Sequence, residues 1–255
     1  MVRRSISKTA RLKPVLAVGG LDPSGHAGVL ADLRVFAKLG IPARAALTAV
    51  TAQSAQACLA WEPVSLPLFR AQLEAAGTRL AGVKIGMLAT PRHALEILRW
   101  LDRVRPRWVV WDPVLAASSG MKLFRGKARH PALLRLLARV DVFTPNIPEV
   151  EAFLDTHLRT ESETVSAALA LFAQGKKSGR CVVVKGGHGS EAKVATDLVV
   201  TSGGIKILRA KRRSGTRRGT GCTFAAALLA ALCRGQTPPA AARFAKRYVL
   251  KIWGD

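Results

Sequence analysis

A three-layer α/β/α fold with a mostly parallel central sheet is predicted by three features of the sequence. Short valine-rich apolar runs alternate with longer segments of helical periodicity. The short runs are apolar throughout, as strands covered on both faces must be. The polar punctuation of the chain falls largely just after those runs, where ligands collect in sheets of this kind.

Residues 15–18, Val-Leu-Ala-Val, make the first strand. A Gly/Pro/Ser loop separates it from a helix over 27–39, in which Val29, Leu30, Leu33, Phe36 and Ala37 recur at helical spacing. Residues 45–50 are the next strand, 66–80 a helix, and 83–86, Val-Lys-Ile-Gly, a strand ending in glycine. A helix over 92–104 leads to the strand 108–111, and one over 131–138 leads to 140–143. Two short helices cover 148–154 and 163–174. Residues 181–184, Cys-Val-Val-Val, form a strand, and 198–201 with 205–208 form a hairpin around Ser202, Gly203 and Gly204. The last two helices span 221–233 and 239–252. Asp22, Gln53, Met87, Asp112, Asn146 and Lys185 follow successive strands, so one crevice can gather them all.

With 255 residues, 49% of them hydrophobic, the chain can bury one substantial core, and a single domain over 14–255 is expected behind a basic tail at 1–13. That tail carries Arg3, Arg4, Lys8, Arg11 and Lys13 without an acid. It reads as a frayed terminus rather than a signal peptide, although an organelle-import leader has the same composition. Cys58, Cys181, Cys222 and Cys233 show no Cys-x-x-Cys pair and no zinc spacing, which fits a reducing cytoplasm. The longest apolar stretch, 224–233, is about half of what a bilayer requires, so no membrane span is expected. The net charge of +24 is partly concentrated around Lys206, Arg209, Lys211, Arg212, Arg213, Arg217 and Arg218. Such a field draws polyanions or small phosphorylated ligands. Nucleic acid is a possible partner but not the favoured one, because a single tyrosine leaves little aromatic surface for stacking, and a solvated basic coat accounts for the charge.

The sequence Arg218-Gly-Thr-Gly-Cys-Thr223 runs straight into the apolar 224–233 segment. A small-residue turn opening a helix leaves backbone N–H groups without intrahelical acceptors, and the aligned peptide dipoles add positive charge, so a phosphate can dock there. The same pattern also serves as a plain helix start. Seven further segments accompany it: Gly20 to Gly28, Ala31-Asp32-Leu33, Thr48 to Gln53, Val83 to Met87, Asp112-Pro-Val114, Thr144 to Glu149 and Val184 to His188. In this order and spacing they resemble the hydroxymethylpyrimidine and phosphomethylpyrimidine kinases of thiamine biosynthesis, members of the ribokinase-like superfamily. The resemblance covers about residues 14 to 251.

The resemblance implies a ribokinase-like fold, a small-molecule pyrimidine substrate, and ATP with Mg2+. The implied activity is phosphorylation of 4-amino-5-hydroxymethyl-2-methylpyrimidine and then of its monophosphate. Such transfer asks the protein mostly for positioning and charge neutralisation. Gly219, Thr220, Gly221 and Cys222 would form an oxyanion cradle, with Cys222 as general base if the helix start lowers its thiol pKa. A small buried thiol is the competing reading. Lys185, beside Gly187, would meet ATP phosphate, and it could equally be a snorkelling strand-end lysine. Asn146 and Glu149 match an Asn-x-x-Glu element that places magnesium through water, with Asp112 in the same network. Glu149 is also a favourable acid for a helix start, and Asp112-Pro113 a favourable turn. Gln53 would read the aminopyrimidine edge, with Gly20 beside the ring and Met87 and Val114 as its walls. Met87 could instead be core filler. Asp32 would accept from the substrate hydroxyl or amine, or face solvent on its helix.

Some positions depart from the family pattern. His26 replaces a common glycine and Leu30 a common glutamine, while Arg217 and Arg218 stand where Thr-His is usual. The two arginines could strengthen the hold on ATP or on a substrate phosphate, or crowd the nucleotide. A homo-oligomer is expected. Pyridoxal kinase activity on the same fold, and a non-catalytic polyanion-binding role, are the alternatives.

Overall fold

The computed structural model describes residues 12–54, 56–175, 179–186, 194–211 and 218–254. In chain order these form β1 (Val15–Leu21), α1 (Gly28–Lys38), β2 (Ala43–Gln53), β3 (Cys58–Pro63), α2 (Leu66–Ala75), β4 (Gly82–Ile85), α3 (Pro91–Val104), β5 (Trp108–Trp111) and α4 (Pro131–Arg139). There follow β6 (Val142–Phe143), α5 (Ile147–Leu154), α6 (Glu161–Ala173), β7 (Cys181–Val184), β8 (Val194–Thr201), β9 (Gly204–Lys211), α7 (Thr220–Cys233) and α8 (Pro238–Gly254).

The strands make one sheet in the order β3-β2-β1-β4-β5-β6-β7-β8-β9. From β2 to β7 every pairing is parallel, while β3, β8 and β9 join antiparallel at the two ends. The chain steps outward from β1 to β2, then returns to the other side of β1 with β4. A crevice opens where strand order reverses in this way.

Alternation along β1 shows how the layers are glued. Leu16 and Val18 face a cluster built with α2 to α6, whereas Val15 and Ala17 face one built with α1, α7 and α8. Helix α7 is buried on every side from Cys222 to Leu232. Its alanines make a slim rod that can lie close to the sheet, and a methyl group added at Gly82 would come within 2.6 Å of Leu229 Cδ1.

The sequence missed β3, half of whose side chains are exposed. An antiparallel edge strand has one wet face and shows no continuous apolar run. Helix α2 stops at Ala75 rather than at residue 80, because Gly77 takes φ +72° and turns the chain. Strand β6 keeps only two residues. Val140 caps α4, and the Asp141 carboxylate accepts the Val109 N–H at 2.7 Å. The hairpin exceeds its predicted length, with eight residues in each arm. No described helix is long and apolar enough to cross a membrane. Residues 1–11, Gly187, Arg212, Arg213 and Arg217 lie outside the described residues.

Candidate active site

A single cavity of about 1390 Å³ runs along the carboxyl ends of the strands, from Gln53 on β2 to Ala195, Ala210 and Leu250 beyond β7. Gly20, Gln53, Met87, Asp112, Val114, Asn146, Glu149, Lys185, Gly219, Thr220, Gly221 and Cys222 all line it. The chain thus brings together twelve of the fourteen residues singled out by sequence. Gly187 is not among the described residues, and Asp32 lies elsewhere.

The α7 end of the cavity is built by close backbone contact. Gly219 adopts φ +77°, and a methyl group there would stand 1.7 Å from the His26 carbonyl oxygen, so only glycine fits. The helix ladder begins with the Thr223 N–H on the Gly219 carbonyl, and no side chain caps the start. The N–H groups of Thr220, Gly221 and Cys222 are therefore left without intrahelical acceptors at the positive end of a fourteen-residue helix. A methyl group at Gly221 would lie 3.2 Å from Lys185 Nζ and 3.5 Å from Asp112 Oδ2, which places those charges beside the helix start.

Lys185 donates to Asp112 Oδ1 at 2.5 Å. Burial opposes its charge, but Asp112 and Glu149 outweigh that, and its ammonium is held above the usual range. Glu149 completes a capping box: its N–H donates to Asn146 Oδ1 at 2.9 Å, and its own carboxylate accepts the Asn146 N–H at 2.8 Å. Both roles read for Glu149, helix-start acid and cavity carboxylate, are thus compatible. Burial, reinforced by Asp112 against the pull of Lys185, pushes the Glu149 carboxyl up to about 8. Beneath α5, the rings of Trp111, Phe143 and Phe153 meet at 5.0 to 5.6 Å and fix the helix on the ends of β5 and β6.

Two sequence expectations are corrected, and one departure from the family pattern is placed. Asp32 neither faces solvent nor lines the cavity: it is fully buried, and its Oδ2 accepts from Lys84 Nζ at 2.8 Å. Burial pulls its carboxyl up to about 6 even against that ammonium. Cys222 is not made acidic by the helix start. Burial pushes its thiol up to about 11, against the opposing pull of Lys84 and of the Gly28 N–H aimed at the sulfur. Leu30 is exposed and does not line the cavity, so the departure there costs no cavity contact.

Sequence reasoning passed over Lys84, and it put Asp22 at the crevice without giving it a role. Lys84 lines the cavity from inside an apolar strand, and a lysine in a run such as Val-Lys-Ile was the available signal. Asp22 is buried at the turn after β1. Its carboxylate accepts from the Ser24 N–H and the Ala27 N–H, each at 2.9 Å, and from Gln53 Nε2 at 3.3 Å. It shapes the Gly-rich loop and aims the Gln53 amide. At the far end, Asp197 binds Lys246 at 2.8 Å and the Gly186 N–H at 3.0 Å, a pair with no local sequence signature.

A family model described as phosphomethylpyrimidine kinase matches residues 22–253. A hydroxymethylpyrimidine/phosphomethylpyrimidine kinase of Haemophilus influenzae is 35% identical over 246 residues, 94% of this chain and 90% of that one. Its Escherichia coli counterpart is 34% identical over 218 residues, 84% and 81% of the two chains. Among solved structures, a phosphomethylpyrimidine kinase from Clostridium difficile matches with a TM-score of 0.78 and 28% identity, covering 94% of this chain and 99% of that chain. A Staphylococcus aureus pyridoxal kinase in complex with AMP-PCP and pyridoxal matches with a TM-score of 0.83 and 28% identity, covering 94% and 87%.

Proposed function

The chain belongs to the phosphomethylpyrimidine kinase family, and from that premise we propose how its residues share the work. The protein is a ribokinase-like enzyme of thiamine biosynthesis. It uses ATP to phosphorylate 4-amino-5-hydroxymethyl-2-methylpyrimidine and then carries the monophosphate to the diphosphate.

The uncapped start of α7, opening into the cavity beside Lys185, Asp112 and Glu149, carries the assignment of the transfer centre. There the N–H groups of Thr220, Gly221 and Cys222 receive the oxygens of the transferring phosphoryl group. In the first step the substrate hydroxyl oxygen attacks the terminal phosphorus of ATP, the bond to the departing ADP oxygen breaks, and the hydroxyl proton passes to the Cys222 sulfur when that sulfur is ionised. Lys84 supplies the positive charge that favours the thiolate. Gln53, held by Asp22, reads the aminopyrimidine edge, and Gly20, Met87 and Val114 bound the ring.

Lys185 meets the ATP phosphates as a point charge. Asp112 and Glu149 offer hard oxygen donors on the same wall, and no three candidate metal ligands converge among the described residues. Two carboxylates without a full cage suit Mg2+, which keeps several waters and takes the rest of its shell from phosphate. When bound, that ion neutralises charge on the β- and γ-phosphates. Gly187 belongs to the same ATP-binding reading and lies outside the described residues. Self-association is part of the proposal, supported by the exposed Leu59 and Val50 at the β2–β3 edge. Residence in a reducing cytoplasm is supported by four cysteines that form no disulfide.

A product assay with the full chain, magnesium ATP and the pyrimidine alcohol tests this reading. Monophosphate followed by diphosphate is expected. In Cys222→Ala the first product should collapse while conversion of added monophosphate suffers less. Equal losses in both steps would remove the base role, and a preference for pyridoxal over the pyrimidine would overturn the substrate.

A further inference from the structure

We propose that Arg218 receives the phosphate of the monophosphate substrate, and so sets how well this enzyme performs the second transfer relative to the first. The inference rests on the kinase reading above. Arg218 immediately precedes Gly219 and is the one arginine among the described residues that line the cavity. Its guanidinium reaches across the mouth and donates to the backbone carbonyl of Ser54, the neighbour of Gln53. A fixed cation therefore stands between the helix start that holds the transferring group and the amide assigned to the ring.

The more buried cations of the cavity are each paired with a carboxylate. Lys84 is paired with Asp32 at 2.8 Å, Lys185 with Asp112 at 2.5 Å, and Lys246 with Asp197 at 2.8 Å. Lys122 and Lys211 lie on other walls, after β5 and at the end of β9. Among the described residues Arg218 has no carboxylate partner and holds only a neutral carbonyl. A guanidinium gains by exchanging such a partner for a phosphate, whose oxygens match its planar fork.

The two reactions differ in what they ask of such a group. The alcohol brings no charge to the transfer centre. In the second step an anionic oxygen of the monophosphate attacks the terminal phosphorus of ATP. The new P–O–P link forms as the bond to ADP breaks, and ADP leaves with the electron pair. No proton needs removing, but two phosphates must approach each other, and that repulsion has to be offset by a cation near the acceptor. Arg218 is placed for this and is idle while the acceptor is neutral.

Steady-state kinetics of the full chain with each acceptor decide the matter, using Arg218→Ala, Arg218→Lys and Arg218→Gln. The glutamine keeps an N–H donor for the Ser54 carbonyl and removes the charge. In the alanine and glutamine variants kcat/KM for the monophosphate should fall about 30- to 100-fold, chiefly through KM, and for the alcohol by less than about threefold. Lysine should recover part of the loss. In the wild type, raising ionic strength from about 0.05 to 0.5 M should raise KM for the monophosphate, and the glutamine variant should lose most of that sensitivity. Equal losses with both acceptors, or a glutamine variant that matches wild type, would overturn the proposal. A wild-type chain that phosphorylates neither compound overturns the kinase reading, and this inference with it.

Discussion

Raising the pH from 7 to 10 with the alcohol as acceptor should increase the first transfer continuously, without the plateau that an ordinary thiol would give. Cys222 is 8% exposed, and burial pushes its thiol up to about 11. At pH 8 only about one molecule in a thousand then carries the thiolate, against about one in four for an unperturbed cysteine with a pKa of about 8.5. The first transfer should gain close to tenfold for each pH unit up to about 10, whereas the unperturbed thiol would saturate by about pH 9.5. The second transfer, whose nucleophile is already ionised, should show no such rise. Chemical labelling reports the same ionisation without turnover. Iodoacetamide modification of Cys222, followed by peptide mass spectrometry, should run about 200-fold slower at pH 8 than that of a free thiol and climb through pH 10. A labelling curve that levels off by pH 9 would refute the burial argument. A first transfer that stays flat with pH while labelling climbs would instead remove Cys222 as the base.

Two substitutions test other parts of the site. Gly219→Ala adds a methyl group where φ is +77° and the His26 carbonyl lies 1.7 Å away. The helix start must shift by more than an ångström, and kcat should fall about 100-fold with both acceptors. An alanine variant with wild-type kcat would mean that the close approach of loop and helix has no bearing on transfer. Lys84→Met strands the buried Asp32, whose Oδ1 already lacks a hydrogen-bond partner, and should cost about 3–5 kcal/mol in urea unfolding. Adding Asp32→Leu should restore most of that stability, and a single variant losing less than about 1 kcal/mol would show that the pair is not held as described.

Much of this molecule could be read from the chain because its strands are covered on both faces. Runs such as Cys181-Val-Val-Val184 have no polar alternation to disguise them, and the residue after each run marks the crevice. Legibility failed where one face meets water, as in β3, and where a pairing joins distant segments. Asp32 could be read as a helix-surface acid because nothing in its own helix announces Lys84, 52 positions further on. The direction of the Cys222 shift was misread for a related reason: the helix dipole is visible in sequence, whereas the depth of burial that outweighs it is a property of packing. Glu149 was legible as an element and ambiguous as a role: the capping box bears out the helix-start role, and the same residue also lines the cavity.

Helix α7 is enclosed on every side, and its uncapped tip is where the proposed function puts the transferring phosphate. Most enzymes keep their working parts on loops that can drift apart from the framework; here a framework rod and a working part are one object. Crowding at Gly82, which does not line the cavity, would press on Leu229 and tilt the far end of the rod. Selection for heat tolerance in this protein would therefore act on turnover as well, and variants recovered for one trait should be screened for the other.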